Sequence, residues 1–71
     1  MPGKQGARFT QAEILAMPTI RTHQENGDRL KYENTRARIW VRSDDRDVPQ
    51  AIVFETWRQR RWGVVRTEAV E

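Results

Sequence analysis

The run Ala51–Thr67, AIVFETWRQRRWGVVRT, is the feature that most constrains how this chain can fold. It is the richest stretch of β-branched and aromatic residues in the sequence, and such residues favour strands. Its middle is polar and basic, Arg58-Gln59-Arg60-Arg61, and a tryptophan stands on either side of that middle. The pattern predicts a β-hairpin with a basic tip.

The tip of this hairpin can be closed in more than one way. A two-residue turn at Gln59-Arg60 would place Trp57 opposite Trp62. Neither Gln nor Arg favours the positive φ angles that such a turn requires. A four-residue loop over 58–61, or a bulge at Gly63, therefore fits the sequence equally well.

A short helix is predicted near the other end of the chain. The sequence Thr-Gln-Ala-Glu that begins at Thr10 is a capping box, in which two side chains bind otherwise unpaired backbone N–H groups. Phe9 and Ile14 have the spacing of a hydrophobic staple, and Pro18 ends the helix. The expected helix spans Gln11–Ala16, which is too short to be stable in water unless it packs on the sheet.

Further antiparallel strands are predicted between the helix and the last hairpin. The stretch Thr19–Gln24 alternates in polarity, and it is followed by Asn26-Gly27, both of which tolerate the positive φ of a type I′ turn. The returning strand is Arg29–Glu33, and a second alternating run, Arg36–Arg42, follows it. The charged segment Ser43–Pro49 is expected to be a loop.

The predicted fold class is α+β: a short N-terminal helix followed by a four- to five-stranded antiparallel β-meander. The meander would either stay open with the helix on one face or curl into a small barrel. Residues 9–67 would form a single small domain, with a flexible tail over 1–8 and a frayed end over 68–71. Both faces of the last hairpin carry apolar side chains, so a second subunit is a candidate cover for one face, which would make the protein a homodimer.

Catalytic chemistry has little support in this sequence. The chain of 71 residues has one histidine and no cysteine, and it lacks a Ser-His-Asp order, metal-ligand spacing and a glycine-rich phosphate loop. Asp44, Asp45 and Asp47 lack the glycine and the closing glutamate of a cation loop. We expect a non-enzyme without cofactor or metal. We also expect no membrane segment and a cytoplasmic location.

Arginine and tryptophan side chains form the one constellation with functional content. All but Lys4 and Lys31 of the 13 basic residues are arginine, whose planar fork pairs bidentately with phosphate and stacks on flat rings. One group shares a face of the strand 36–42, and the other surrounds the hairpin tip. The candidate nucleic-acid-binding residues are Arg36, Arg38, Trp40, Arg42, Arg58, Arg60 and Arg61.

The three tryptophans also have a structural interpretation. In so small a protein their bulk naturally fills the core, with arginines covering the ring edges, so we expect at least two of the three in the core. Trp40 is the one expected to be exposed, because the other face of its strand already carries Ala37, Ile39 and Val41.

Three functions fit this pattern. The first is a small nucleic-acid-binding or regulatory protein, whose arginines neutralise phosphates while its rings stack on unpaired bases or its hairpin enters a major groove. The second is a protein-interaction module, an adaptor or inhibitor that uses the same residues as a hot spot. The third is a structural homodimer without a ligand. The net charge of +3 is modest for a nucleic-acid binder, so the first function is only slightly favoured.

Overall fold

The computed structural model describes residues 9–71; the predicted tail over 1–8 lies outside the described residues. In chain order the elements are α1 (Gln11–Ala16), β1 (Arg21–Thr22), β2 (Arg29–Glu33), β3 (Ala37–Ser43), β4 (Pro49–Arg58) and β5 (Arg61–Ala69). The strands form one antiparallel sheet in the order β1-β2-β3-β4-β5. The predicted α+β meander is confirmed. The barrel alternative is not supported, because β1 and β5 are separate edges of an open sheet.

Helix α1 begins and ends where the sequence predicts. The hydroxyl of Thr10 accepts the N–H of Glu13 at 3.1 Å, and the Glu13 carboxylate accepts the N–H of Thr10 at 2.8 Å. Met17 is extended, with φ −67° and ψ 146°, as the residue before Pro18 is expected to be. Ile14 is fully buried, so the helix is held in place by packing.

The sheet is packed on both faces. The face toward α1, here called the helix face, carries a buried cluster made of Ile14, Ile39, Val41, Ile52 and Phe54. The opposite face, here called the loop face, carries a smaller cluster made of Leu30, Trp40 and Val53. The segment between β1 and β2 lies over the second cluster, because the His23 ring meets the Trp40 ring edge-on at a centroid distance of 5.6 Å. The chain itself thus covers the centre of its second face.

The predicted type I′ turn at Asn26-Gly27 is wrong. The register of β1 with β2 leaves the whole of 23–28 as a loop, and of the two predicted turn residues only Gly27 has a positive φ, 78°. The side chain of Asn26 accepts the N–H of Asp28 at 2.8 Å, and the backbone of His23 exchanges hydrogen bonds with Gly27 and Asp28. These bonds stabilise a wider loop, and β1 is shorter than the predicted strand.

The hairpin of β4 and β5 is closed by the two-residue turn. Gln59 and Arg60 have φ angles of 53° and 64°, and Trp57 pairs with Trp62. The four-residue loop is therefore wrong. A bulge exists, but it lies at Val65 and not at the predicted glycine, because the β4–β5 register shifts there. Cross-strand pairing has imposed left-handed geometry on two residues that disfavour it.

The turn gives a direct prediction for stability. Arg60→Gly is expected to raise the free energy of unfolding by about 0.5–1 kcal/mol. The left-handed conformation costs a non-glycine residue about 1–2 kcal/mol, and glycine removes this cost. The greater freedom of glycine in the unfolded chain offsets about 0.5–1 kcal/mol of that gain. Urea unfolding measures the change. Arg61→Gly removes the same charge one residue later, at the first residue of β5, where φ is not positive, and should be destabilising. Equal effects of the two substitutions would contradict the turn assignment.

The C-terminal residues join α1 to the sheet. The side-chain amide of Gln11 donates to the carbonyl of Ala69 at 3.0 Å, and its oxygen accepts the N–H of Glu71 at 3.2 Å. Val70 packs against the helix-face cluster. The segment 68–71, where the sequence predicts a frayed end, thus contacts α1 and the helix-face cluster.

Candidate nucleic-acid interface

One end of the sheet brings four of the predicted arginines together. The N–H of Trp57 donates to the carbonyl of Arg36 at 3.0 Å, which fixes the β2–β3 loop beside the β4–β5 hairpin. On the hairpin, Arg58 pairs with Arg61 across the two strands, and Arg60 lies in the turn between them. We call Arg36, Arg58, Arg60 and Arg61 the tip cluster.

The tip cluster is exposed, and its charge is not neutralised by neighbours. All four residues are exposed, and within residues 9–71 none of their guanidinium groups makes an ion pair. Elsewhere, the arginine ion pairs are Arg21–Glu33, Arg38–Glu33, Arg29–Asp47, Arg42–Asp28 and Arg66–Glu68. Uncompensated guanidinium groups close together attract anions, and phosphate matches their fork geometry.

Acidic side chains lie at the opposite end of the sheet. The loops 23–28 and 44–48 both lie there, and Arg29 at the start of β2 forms an ion pair of 2.7 Å with Asp47 of the second loop. These two loops carry Glu25, Asp28, Asp44, Asp45 and Asp47. The β2–β3 loop and the β4–β5 turn, at the tip end, carry no carboxylate. The loop 44–48 also carries Arg46, but carboxylates outnumber cations in these two loops, so the tip end is the more favourable end for an anion.

Two predicted arginines of β3 are held by internal partners on the loop face. The Nε of Arg38 donates to Glu33 at 2.9 Å, and its guanidinium lies 4.1 Å from the centroid of the Trp62 ring. Arg42 donates to Asp28 through Nε and Nη2, at 3.2 and 3.1 Å. Asp28 is itself buried, so this second pair fixes the loop onto the sheet.

Glu33 forms ion pairs with two arginines, Arg38 and the β1 residue Arg21. Arg21 donates to its two oxygens at 3.0 and 3.2 Å, and this hydrogen bonding is the main reason that the pKa of the Glu33 carboxyl is lowered. The hydrogen bond from Arg38 lowers the same pKa further. The carboxylate therefore offsets part of the charge of Arg21 and Arg38, and within residues 9–71 it forms no ion pair with the tip cluster.

The prediction that Trp40 is exposed is wrong. Only 6% of this residue is exposed, and its Nε1 donates to the Glu55 carboxylate at 2.6 Å. The loop 23–28 folds over the second face of β3 and covers this ring, and the alternation of residues within one strand does not indicate such a loop. The expectation of two core tryptophans is also wrong, since neither Trp57 nor Trp62 belongs to a core cluster.

An aromatic pair stands beside the tip cluster. Trp57 and Trp62 pack edge-to-face on the loop side of the hairpin, with ring centroids 5.5 Å apart. Arg58 and Arg61 follow and precede them in the strands, so alternation places these cations on the helix side. Both tryptophans flank the predicted tip, but neither is among the predicted nucleic-acid-binding residues. Their symmetric spacing about the turn was the available signal.

A shallow depression marks the helix side of the hairpin. It has a volume of about 240 Å³, and its lining includes Arg58, Arg61 and Gly63. A Cβ atom added at Gly63 would meet nothing within 4 Å, so the space beside this glycine is open. Arg58 and Arg61 thus border an open depression, and guanidinium groups are suited to bind phosphate.

Other kinds of site find no support in the described part of the chain. Among residues 9–71, no group of three or more His, Asp and Glu side chains is placed to hold a metal ion. No helix over the same residues is long and apolar enough to cross a bilayer. Comparison with protein families, with characterised proteins and with solved structures found no match to this chain.

Proposed function

We propose that this protein is a small, non-enzymatic nucleic-acid-binding protein that engages the phosphate backbone through the tip cluster. The observation that supports it is the grouping of four exposed arginines, none in an ion pair within residues 9–71, at the end of the sheet where loop carboxylates are absent. Mutual repulsion makes such a grouping unfavourable for folding, and a polyanion relieves it. The proposal keeps the predicted cytoplasmic location.

Of the seven predicted nucleic-acid-binding residues, only the four arginines of the tip cluster are proposed to contact the ligand. Arg38 and Arg42 are already bonded to carboxylates, and Trp40 is buried, so these three side chains act through the fold and do not contact the ligand. Each remaining arginine that binds a phosphate releases condensed counterions. With about four contacts, the logarithm of affinity should fall with the logarithm of salt concentration with a slope of about −3 to −4.

The test is the tip variant Arg58→Ala/Arg60→Ala/Arg61→Ala, titrated against fluorescently labelled oligonucleotides at several salt concentrations. Loss of three phosphate contacts should weaken binding to every sequence and reduce the salt slope by about 2–3. The fold should survive, because all three side chains are exposed and alanine at position 60 has the same Cβ atom as arginine. Circular dichroism checks this point.

The matched control is Arg21→Ala/Arg29→Ala/Arg66→Ala. In each variant three of the 13 basic residues are lost against 10 acidic ones, so both have a formal net charge of 10 − 10 = 0. The control removes only arginines that are paired with carboxylates, and it should keep most of the affinity and of the salt slope. Equal losses in the two variants would mean that binding follows net charge and not the tip cluster.

A protein-interaction module or homodimer is the second candidate, and strand β5 supports it. This edge strand exposes Val64 and Val65 to 59% and 57%, beside an unpaired row of backbone groups. The bulge at Val65 bends the strand, which opposes continuous pairing with another chain and places this candidate second. A dimer in sedimentation, with no affinity for oligonucleotides at low salt, would favour it over nucleic-acid binding.

A further inference from the structure

We infer that the ligand is single-stranded nucleic acid and that one of its unpaired bases stacks on Trp57. This inference rests on the proposed function and names the substrate class of the same tip. Of the three tryptophans, Trp40 is buried and a guanidinium group covers the Trp62 ring at 4.1 Å. Trp57 is 44% exposed and directly precedes a tip-cluster arginine. It is therefore the ring that remains open to a base.

A chain of contacts holds the Trp57 ring in place. It packs edge-to-face on Trp62, its cross-strand partner, at 5.5 Å. Trp62 is backed by Arg38, and Arg38 is fixed by the Glu33 carboxylate at 2.9 Å. A ring that is already ordered loses little conformational entropy when a base stacks on it, which favours binding. Stacking of a base on an aromatic side chain does not depend on which base it is.

The distribution of rings and cations favours a single strand over a duplex. Arg58 and Arg61 lie on the helix side of the hairpin, whereas Trp57 lies on the loop side. A duplex keeps its bases stacked on one another, so even a hairpin that enters its major groove finds no free base face for the Trp57 ring. A flexible single strand can bend over the turn, with phosphates at the arginines and a base on the ring.

The experiment compares three labelled ligands of equal length: a base-bearing single strand, an abasic single strand and a hairpin duplex. Wild-type protein should bind the base-bearing strand about 5- to 150-fold more tightly than the abasic strand. Trp57→Ala should remove that difference while leaving the affinity for the abasic strand unchanged. Trp57→Phe, which keeps a smaller ring, should retain part of it. Base-dependent quenching of tryptophan fluorescence should disappear in both variants.

The outcomes separate the inference from the proposed function. If none of the three ligands binds at low salt, both the proposed function and the stacking inference are wrong. If the abasic strand binds as tightly as the base-bearing strand, or if the duplex binds best and Trp57→Ala has no effect, only the stacking inference falls. Ile20→Ala truncates another exposed apolar side chain, outside the tip, and should change no affinity. An equal loss in that variant would contradict a specific role for Trp57.

Discussion

Ile14→Ala is expected to lower the free energy of unfolding by about 2–5 kcal/mol. Ile14 is fully buried and is the residue through which α1 enters the helix-face cluster. A helix of six residues has no stability of its own, so it depends on this contact. For a domain of 71 residues the total stability is about 4–10 kcal/mol, so the loss should move the urea midpoint substantially.

Ile20→Ala is the matched control, because it makes the same truncation at a residue that is 54% exposed. Its effect should stay within about 0.5 kcal/mol. A loss equally small for Ile14→Ala would mean that α1 is not packed on the sheet. An unchanged denaturant slope in both variants would show that the comparison concerns stability and not the compactness of the unfolded chain.

Features set by neighbouring residues were predictable from the sequence. Helix α1 has the predicted bounds because its start signal at Thr10 and its stop at Pro18 act on adjacent backbone groups. Strand β2 also has its predicted bounds, and β3 differs by one residue at each end, since alternation in polarity is a local pattern.

Features set by distant residues were not predictable in this way. Asn26-Gly27 has the better turn chemistry, yet the left-handed two-residue turn forms at Gln59-Arg60. Trp57 and Trp62 pair across the hairpin, and the long register of β4 with β5 outweighs the local preference of the turn residues. Favourable turn residues therefore do not suffice at Asn26-Gly27, and unfavourable ones do not prevent a tight turn at Gln59-Arg60.

The residues of the candidate site were predictable from the sequence, but which of the arginines form ion pairs was not. Arg38 and Arg58 look alike in the sequence, since each directly follows an apolar residue in a predicted strand. In the fold, Arg38 lies beside Glu33 and becomes part of an ion pair, whereas Arg58 makes none within residues 9–71. Which cations stay free is decided by cross-strand neighbours, and these depend on the register.

Trp40→Ala is the second large expected effect, a loss of about 3–5 kcal/mol in the free energy of unfolding. The ring packs with Leu30 and Val53 and is covered by His23, so truncation leaves a cavity on the loop face. It also removes the Nε1 donor that binds Glu55 at 2.6 Å. Trp40→Phe, which keeps much of the ring but not the donor, should cost about 1–3 kcal/mol.

Trp57→Ala is the control for that measurement, because it makes the same truncation at a tryptophan outside both core clusters. It should cost about 1 kcal/mol, mostly the edge-to-face contact with Trp62. Equal losses for the two variants would contradict the packing of the loop face. A small loss for Trp57→Ala also means that its expected effect on nucleic-acid affinity cannot come from unfolding. The two tryptophans thus have separable roles: Trp40 stabilises the sheet, and Trp57 is available to a ligand.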